Sequence, residues 1–213
     1  SGKIILFLGG VLKHKGSQIL LHAFSNLLKK HSDVKLVVLG NTKSPYVSTN
    51  SLLKKIARFA FLYDGAKEFQ KTADQLNLKE NIILPGAQSN VEKWLTASDV
   101  LVFPSALDHF GRPIVEAISM NIPSIASDHP SNQELNEIFS DSGLSYLFKN
   151  NNSGNLSQLL EEVLFNQQSE IIKEKAAQQL EALGFYGKVQ AKKIKSVIAE
   201  TLELNHNYAH TST

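Results

Sequence analysis

Two carboxylates, Asp108 and Glu116, lie on either side of a Phe110-Gly111 pair in the middle of the sequence. If a helix begins near Arg112, Glu116 projects from its first turns while Asp108 stays in the preceding loop, so both can bracket one ligand. A glycine lets the backbone approach that ligand closely, and the amides of residues 110 to 112 can donate hydrogen bonds to an anion. The pattern therefore indicates an anion-binding site between two acids.

The same two acids also have a purely structural explanation. An acid before a helix and a glutamate in its first turns both interact favourably with the helix dipole. Local physics leaves both explanations open.

The elements around this segment predict where it lies in a fold. Val100 to Phe103 is an unbroken apolar run closed by Pro104, which is typical of a strand buried on both faces of a parallel sheet. Apolar positions 114, 115, 117, 118 and 120 fit one face of the helix that follows. A loop at the carboxyl end of such a strand is where doubly wound sheets bind ligands.

The remaining chain alternates between strand and helix patterns, which predicts an α/β fold with a Rossmann-like, doubly wound sheet of about six parallel strands and helices on both faces. The predicted strands are 3–8, 33–40, 81–84, 100–103, 123–127 and 145–148. The first predicted helix opens at Gly16-Ser17, with Ser17 as its N-cap. Another begins near residue 112, and a short one follows a loop at 128–134. The other predicted helices are 51–63, 66–76, 91–97 (capped by Asn90), 155–166, 169–183 and 186–204. One domain is expected over 1–205, followed by a polar tail at 206–213.

The turn after the first strand is rich in glycine. Gly9 and Gly10 end the strand, and Gly16 opens the next helix after a basic loop that includes Lys15. A strand, a glycine-rich turn and a helix form a phosphate-binding arrangement, although this spacing fits neither the dinucleotide fingerprint nor the P-loop.

Residues 104–117, PSALDHFGRPIVEA, resemble the acid–seven residues–glutamate signature of retaining glycosyltransferases with two Rossmann-like domains (the GT-B fold). The resemblance extends to the flanks NIILPGAQSNVEKWLTASDVLVFPS and MNIPSIASDHPSNQEL, and in all covers roughly residues 4 to 165, the second, donor-binding domain of that family. Asp108 departs from the usual glutamate, and His109 stands where a small residue is common.

The resemblance implies a role for each matching residue. Asp108 and Glu116 are the catalytic candidates: the counterpart of Asp108 faces the transferred sugar, and that of Glu116 accepts hydrogen bonds from ribose hydroxyls. The implied donor-binding residues are Gly10, Lys15, Leu84, Gly86, Ser105, Phe110, Gly111, Arg112 and Glu116. Lys15 matches the cation that neutralises the donor diphosphate. A second cation, usually an arginine, is replaced by Gly10, with Lys13, His14 or Arg112 as candidates to compensate.

The implied function is that of the C-terminal, donor-binding domain of a retaining glycosyltransferase. The expected donor is a UDP-, GDP- or ADP-sugar, with no metal and no cofactor. The acceptor is expected to bind mainly to an N-terminal domain that this sequence lacks, so the isolated chain should bind nucleotide and be inactive alone. Two alternatives stay open: a non-catalytic nucleotide-binding or scaffold module, and half of a nucleotide-sugar epimerase.

Composition limits the partners. The 22 basic and 20 acidic residues give little net field, so no nucleic-acid partner is indicated, and the lack of cysteine excludes disulfides and thiolate metal sites. No apolar run is long enough to span a bilayer and no signal peptide is visible, so a cytoplasmic location is expected. The basic, partly apolar helix predicted at 51–63 is a candidate for peripheral membrane contact.

Overall fold

Six strands alternate with helices along the chain in a computed structural model, which describes residues 2–41, 65–165 and 178–182. The strands are β1 Lys3–Leu8, β2 Val34–Leu39, β3 Ile82–Gly86, β4 Val100–Phe103, β5 Ser124–Ser127 and β6 Ser145–Phe148. The helices are α1 Ser17–Leu28, α2 Gly65–Gln75, α3 Val91–Thr96, α4 Arg112–Ser119, α5 Pro130–Phe139 and α6 Ser153–Phe165. Single 3-10 turns occur at Lys13–Lys15, Lys79–Asn81 and Ser140–Ser142.

The strands form one parallel sheet in the order β3-β2-β1-β4-β5-β6. Leu6 in β1 pairs with Val37 on one side and Leu101 on the other, so the strand order reverses between β1 and β4. In such a sheet the loops after those two strands diverge and leave a crevice for ligands. The predicted fold class is confirmed.

Strand alternation divides the core between the two faces of the sheet. Ile5 and Phe7 of β1 pack with residues of α1, α2 and α6, whereas Leu6 packs with Leu95 of α3 and Ala117 of α4. Each of these five side chains is at most 3 % exposed. Helices therefore cover both faces and leave the strand ends to carry the functional loops.

Several predicted boundaries are corrected by the structure. Ser17 is not the N-cap of α1: Gly16 occupies that position with φ 78°, and Ser17 is the first helical residue. β3 continues through Gly86, and α5 begins at Pro130, so most of the predicted 128–134 loop is helical. The Asn90 cap is confirmed, since its side chain accepts a hydrogen bond from the amide of Lys93.

Some predicted elements lie outside the described residues. They are the 51–63 helix, the 186–204 helix and the 206–213 tail. Of the predicted 169–183 helix, residues 178–182 are described and are helical.

Asp99 joins the starts of β1 and β4. One carboxylate oxygen accepts from the backbone amide of Ile4 at 2.8 Å, and the other contacts Lys3 Nζ at 2.9 Å. We expect Asp99→Ala to lower the free energy of unfolding by about 2 kcal/mol, because a charge-assisted hydrogen bond to a partly buried amide is lost. Denaturant titration measures this loss, with Lys3→Met as the control.

The control removes only the half-exposed ion pair, so we expect it to cost less than about 1 kcal/mol. Equal losses in the two variants would show that the bond to Ile4 contributes nothing beyond the ion pair.

Candidate functional site

The turn after β1 packs directly against the end of β4. Gly16 approaches the carbonyl oxygen of Pro104 so closely that a Cβ there would lie 1.7 Å from it. The amide of Ala106 donates to the carbonyl of His14 at 2.9 Å, which joins the two loops through their backbones. These contacts place the basic turn beside the loop that carries Asp108.

Lys15 extends from that turn to the same loop. Its Nζ lies 3.2 Å from Nε2 of His109. The structure therefore brings the predicted diphosphate-binding lysine to the residue next to Asp108, although the two are far apart in sequence.

The ring of His109 is fixed by contacts on its other side. Nδ1 lies 2.9 Å from the carbonyl oxygen of Leu107 and 3.3 Å from Oγ of Ser105. A carbonyl can only accept, so Nδ1 carries the proton and Nε2 offers its lone pair to Lys15. The ring also packs on Phe103, with centroids 5.2 Å apart.

Ser105 supports this loop from within. The side chain is buried, and its hydroxyl donates to the carbonyl of Leu107 at 3.0 Å. Its own carbonyl accepts from Oγ of Ser127 at 2.7 Å and faces Nε2 of His129 at 3.0 Å. The predicted donor contact is thus a residue whose polar groups already bond within the protein and fix the loop shape.

Asp108 stabilises a helix, but not the one that the sequence suggested. Its Oδ1 accepts from the amide of Ser131 at 3.2 Å, in the first turn of α5. The start of α4 has no side-chain cap, and Gly111 is its N-cap. Asp108 therefore has the structural role that the sequence left open, but it stabilises α5 and not α4.

Glu116 projects from the second turn of α4 and pairs with Arg112 one turn earlier. Arg112 Nε lies 3.2 Å from Glu116 Oε1, and the glutamate side chain is 42 % exposed. An exposed pair of this kind contributes little to stability, so the carboxylate stays available to a ligand.

The amides before α4 differ from the prediction in one respect. The amide of Arg112, expected to donate to an anion, donates here to the carbonyl of Phe110 at 3.0 Å. The amides of Phe110 and Gly111 donate to no acceptor within the described ranges. Gly111 is buried, whereas the Phe110 side chain is 56 % exposed at the mouth of the loop.

Gly10 and the end of β3 meet at the same edge of the sheet. Gly10 has φ 63°, and a Cβ there would lie 2.5 Å from the carbonyl oxygen of Asn41, so no side chain fits at this position. Leu39 and Gly40 link the two: the amide of Gly10 donates to Leu39 O, and the amide of Gly40 donates to Gly86 O. Gly86 faces open space, and Leu84 is 40 % exposed.

The turn and the loop together form a weakly basic cluster of His14, Lys15 and His109. Burial lowers the pKa of His14 below its ordinary value, and the charges of Lys15 and His109 lower it further. In the part of the chain that the structure describes, no three His, Asp or Glu residues are grouped to hold a metal ion. None of the described helices is long and apolar enough to cross a membrane.

Comparison with known families agrees with this geometry. Residues 1–180 match the model of the glycosyl transferases group 1 family. The chain belongs to that family.

Curated relatives and solved structures are similar to the chain. A Campylobacter jejuni protein named N-acetylgalactosamine-N,N'-diacetylbacillosaminyl-diphospho-undecaprenol 4-alpha-N-acetylgalactosaminyltransferase is 26% identical over 162 residues, which cover 76% of this chain and 37% of that protein. The crystallised C-terminal domain of a group 1 family protein of Francisella tularensis is 25% identical, with a TM-score of 0.61, and the match covers 85% of this chain and 86% of that domain.

A second similar structure shows the fold alone. HepE of Anabaena, crystallised with UDP and glucose, has a TM-score of 0.69 at 19% identity, and the match covers 95% of this chain and 48% of that one. The matches span between 26% and 39% of the length of the first curated relatives.

The predicted site residues of this group 1 chain fall into two sets. The turn after β1 and the loop before α4 are in contact, through Lys15 and His109. Gly10, Leu84 and Gly86 form a second set at the ends of β1 and β3. From the sequence, His109 had no assigned role, and its contact with Lys15 was not predicted. The signal in the sequence was the residue type: His109, with two ring nitrogens, stands where the family commonly has a small residue.

Proposed function

We propose that the chain is the donor-binding domain of a retaining, metal-independent glycosyltransferase, and that a further, N-terminal domain supplies most of the acceptor site. The observation that carries the proposal is the approach of Lys15 to the loop before α4. This contact places a cation beside the loop that carries Asp108, Phe110 and Gly111 and that leads into the helix of Glu116, near the point where the strand order reverses.

Transfer of a sugar from its nucleotide breaks the bond between the anomeric carbon and a diphosphate oxygen. Negative charge grows on the diphosphate as that bond lengthens, and groups already directed at it lower the barrier. Lys15 is suited to this through its ammonium, and the amides of Phe110 and Gly111 are suited through their N–H groups.

The two acids have separate roles in this proposal. Glu116 accepts hydrogen bonds from the ribose hydroxyls and so fixes the nucleoside. Asp108 accepts hydrogen bonds from hydroxyls of the transferred sugar, either in addition to its bond with the Ser131 amide or in place of that bond. Leu84 and Gly86 border the nucleobase, whose identity is set by exposed backbone at the end of β3.

Calorimetric titration with UDP-, GDP- and ADP-glucose tests the proposal. We expect one of the three to bind and Lys15→Met to weaken its binding by about 10- to 100-fold, since a charge-assisted contact to the diphosphate is lost. Lys29→Met is the matched control, because Lys29 follows α1 at its far end, where it contacts Asn26, and so should leave affinity unchanged.

Other outcomes would point elsewhere. Equal affinities of the Lys15 and Lys29 variants would remove Lys15 from the site. Lack of binding by the unaltered chain to all three nucleotides would favour a scaffold role. Conversion of a bound nucleotide sugar to its epimer, once the chain is joined to its N-terminal domain, would favour the epimerase alternative.

A further inference from the structure

The ring of His109 is held beside Lys15, so an anion that binds Lys15 also lies near this ring. Its Nδ1–H is directed at the Leu107 carbonyl, and its ring packs on Phe103. Nε2 therefore faces Lys15 Nζ at 3.2 Å and has no alternative orientation that keeps these contacts.

An anionic oxygen that binds the Lys15 ammonium lies in the neighbourhood of Nε2, because the two nitrogens are 3.2 Å apart. In the free chain Nε2 presents a lone pair, which repels an anionic oxygen. As Lys15 turns from the ring to the anion, a proton on Nε2 would turn that repulsion into a charge-assisted hydrogen bond. Binding of a diphosphate thus favours the protonated imidazole.

The charges around His109 support this change on binding. From the turn after β1, Lys15 contacts the ring, and the charge of His109 also acts on His14. On its own loop, Asp108 is directed instead at the Ser131 amide. Ser105 and Phe103, from the end of β4, are uncharged. A bound diphosphate would add negative charge beside the ring, and that charge favours an imidazolium.

Three other positions are less suited to supply a second cation. No side chain fits at Gly10, and the exposed side chain of Arg112 is directed to Glu116 on α4. His14 has its pKa lowered by burial and by its basic neighbours.

We propose that His109 takes up a proton at Nε2 when the donor diphosphate binds, and that it then serves with Lys15 as the second cation of the site. The proposal rests on the proposed function and assigns a role to a residue that otherwise has none. The complex holds one more proton than the free chain. Affinity therefore falls as pH rises through the neutral range, by up to about tenfold per pH unit.

The test is calorimetry with the nucleotide sugar that binds in the panel, at near-neutral pH, in two buffers of different ionisation enthalpy. Both phosphates of a nucleotide sugar are esterified and carry no proton that titrates near neutrality, so any uptake belongs to the protein. We expect uptake of a fraction of a proton, up to one, by the unaltered chain. We expect none by His109→Gln, which keeps an acceptor near the position of Nε2 but cannot titrate.

His14→Gln is the matched control, and it should retain the uptake. Binding by the unaltered chain without proton uptake, or equal uptake by His109→Gln, would overturn the role of His109 and leave the proposed function intact. Failure of every nucleotide sugar to bind would overturn both.

Nitrogen-15 spectra of the histidine rings give a test that needs no ligand. We expect His109 in the free chain to be the Nδ1–H tautomer. A free chain with the proton on Nε2 would contradict the geometry from which the proposal starts.

Discussion

Gly16→Ala is expected to destabilise the chain by about 3 kcal/mol or more, a large share of the stability of a typical domain. Two costs add at this position. Its φ of 78° is unfavourable to any residue with a Cβ, and the added methyl would lie 1.7 Å from the Pro104 carbonyl oxygen. Because that oxygen belongs to the backbone, relief requires the turn and the loop to separate. Thermal or denaturant unfolding measures the loss.

Two other glycines separate the costs. Gly86 also has a positive φ of 82°, but nothing lies within 4 Å of its Cβ position, so Gly86→Ala should cost only about 1 kcal/mol. Gly154 is helical, and its Cβ would make an ordinary contact at 3.4 Å, so Gly154→Ala should be neutral or slightly stabilising. A Gly16 variant no less stable than the Gly86 variant would show that the contact with Pro104 is easily relieved.

The same substitution should also affect the site. Any Gly16→Ala chain that remains folded has its turn displaced from the loop before α4, and Lys15 is carried away from His109. We expect such a chain to bind the nucleotide sugar more weakly than Gly154→Ala does, because Gly154 lies on α6 and is not one of the predicted site residues.

The ends of three strands were predictable from apolar runs. β1, β4 and β6 begin and end at the predicted residues. β4, for example, is apolar at all four positions and is followed by Pro104. Its run is read from the residues themselves, because both faces of this strand are buried.

The turn before α1 was harder to predict. Ser17 has a good capping side chain, yet Gly16 takes the cap position, because only a residue without a Cβ can adopt this φ and lie against Pro104. The deciding contact comes from a strand far along the chain, where local propensity gives no information.

The contacts within the site were not predictable for the same reason. Lys15 and His109 are 94 positions apart, and Asp108 and Ser131 are 23 apart. Spacing within one segment indicated that Asp108 and Glu116 were near the start of α4. It did not indicate that the Asp108 carboxylate would accept a hydrogen bond from the first turn of α5, or that Lys15 would contact the ring of His109.

Glu116→Ala is expected to weaken nucleotide-sugar binding by about 10- to 100-fold while leaving the unfolding midpoint almost unchanged. The binding loss follows from two hydrogen bonds between a carboxylate and ribose hydroxyls, which are worth more than neutral ones. Stability should change little, because Glu116 is 42 % exposed and its ion pair with Arg112 is exposed as well. Arg112→Met is the control: it removes that ion pair and keeps the carboxylate.

A double-mutant cycle with a 2′-deoxyribose analogue of the same nucleotide sugar distinguishes direct contact from an indirect effect. If Glu116 binds the ribose, removing the hydroxyl should weaken binding to the unaltered chain and have little further effect on Glu116→Ala. Additive losses would mean that Glu116 acts elsewhere, through the dipole of α4 or through Arg112. In that case the Arg112→Met variant should reproduce much of the loss, whereas a ribose contact predicts that it binds nearly as well as the unaltered chain.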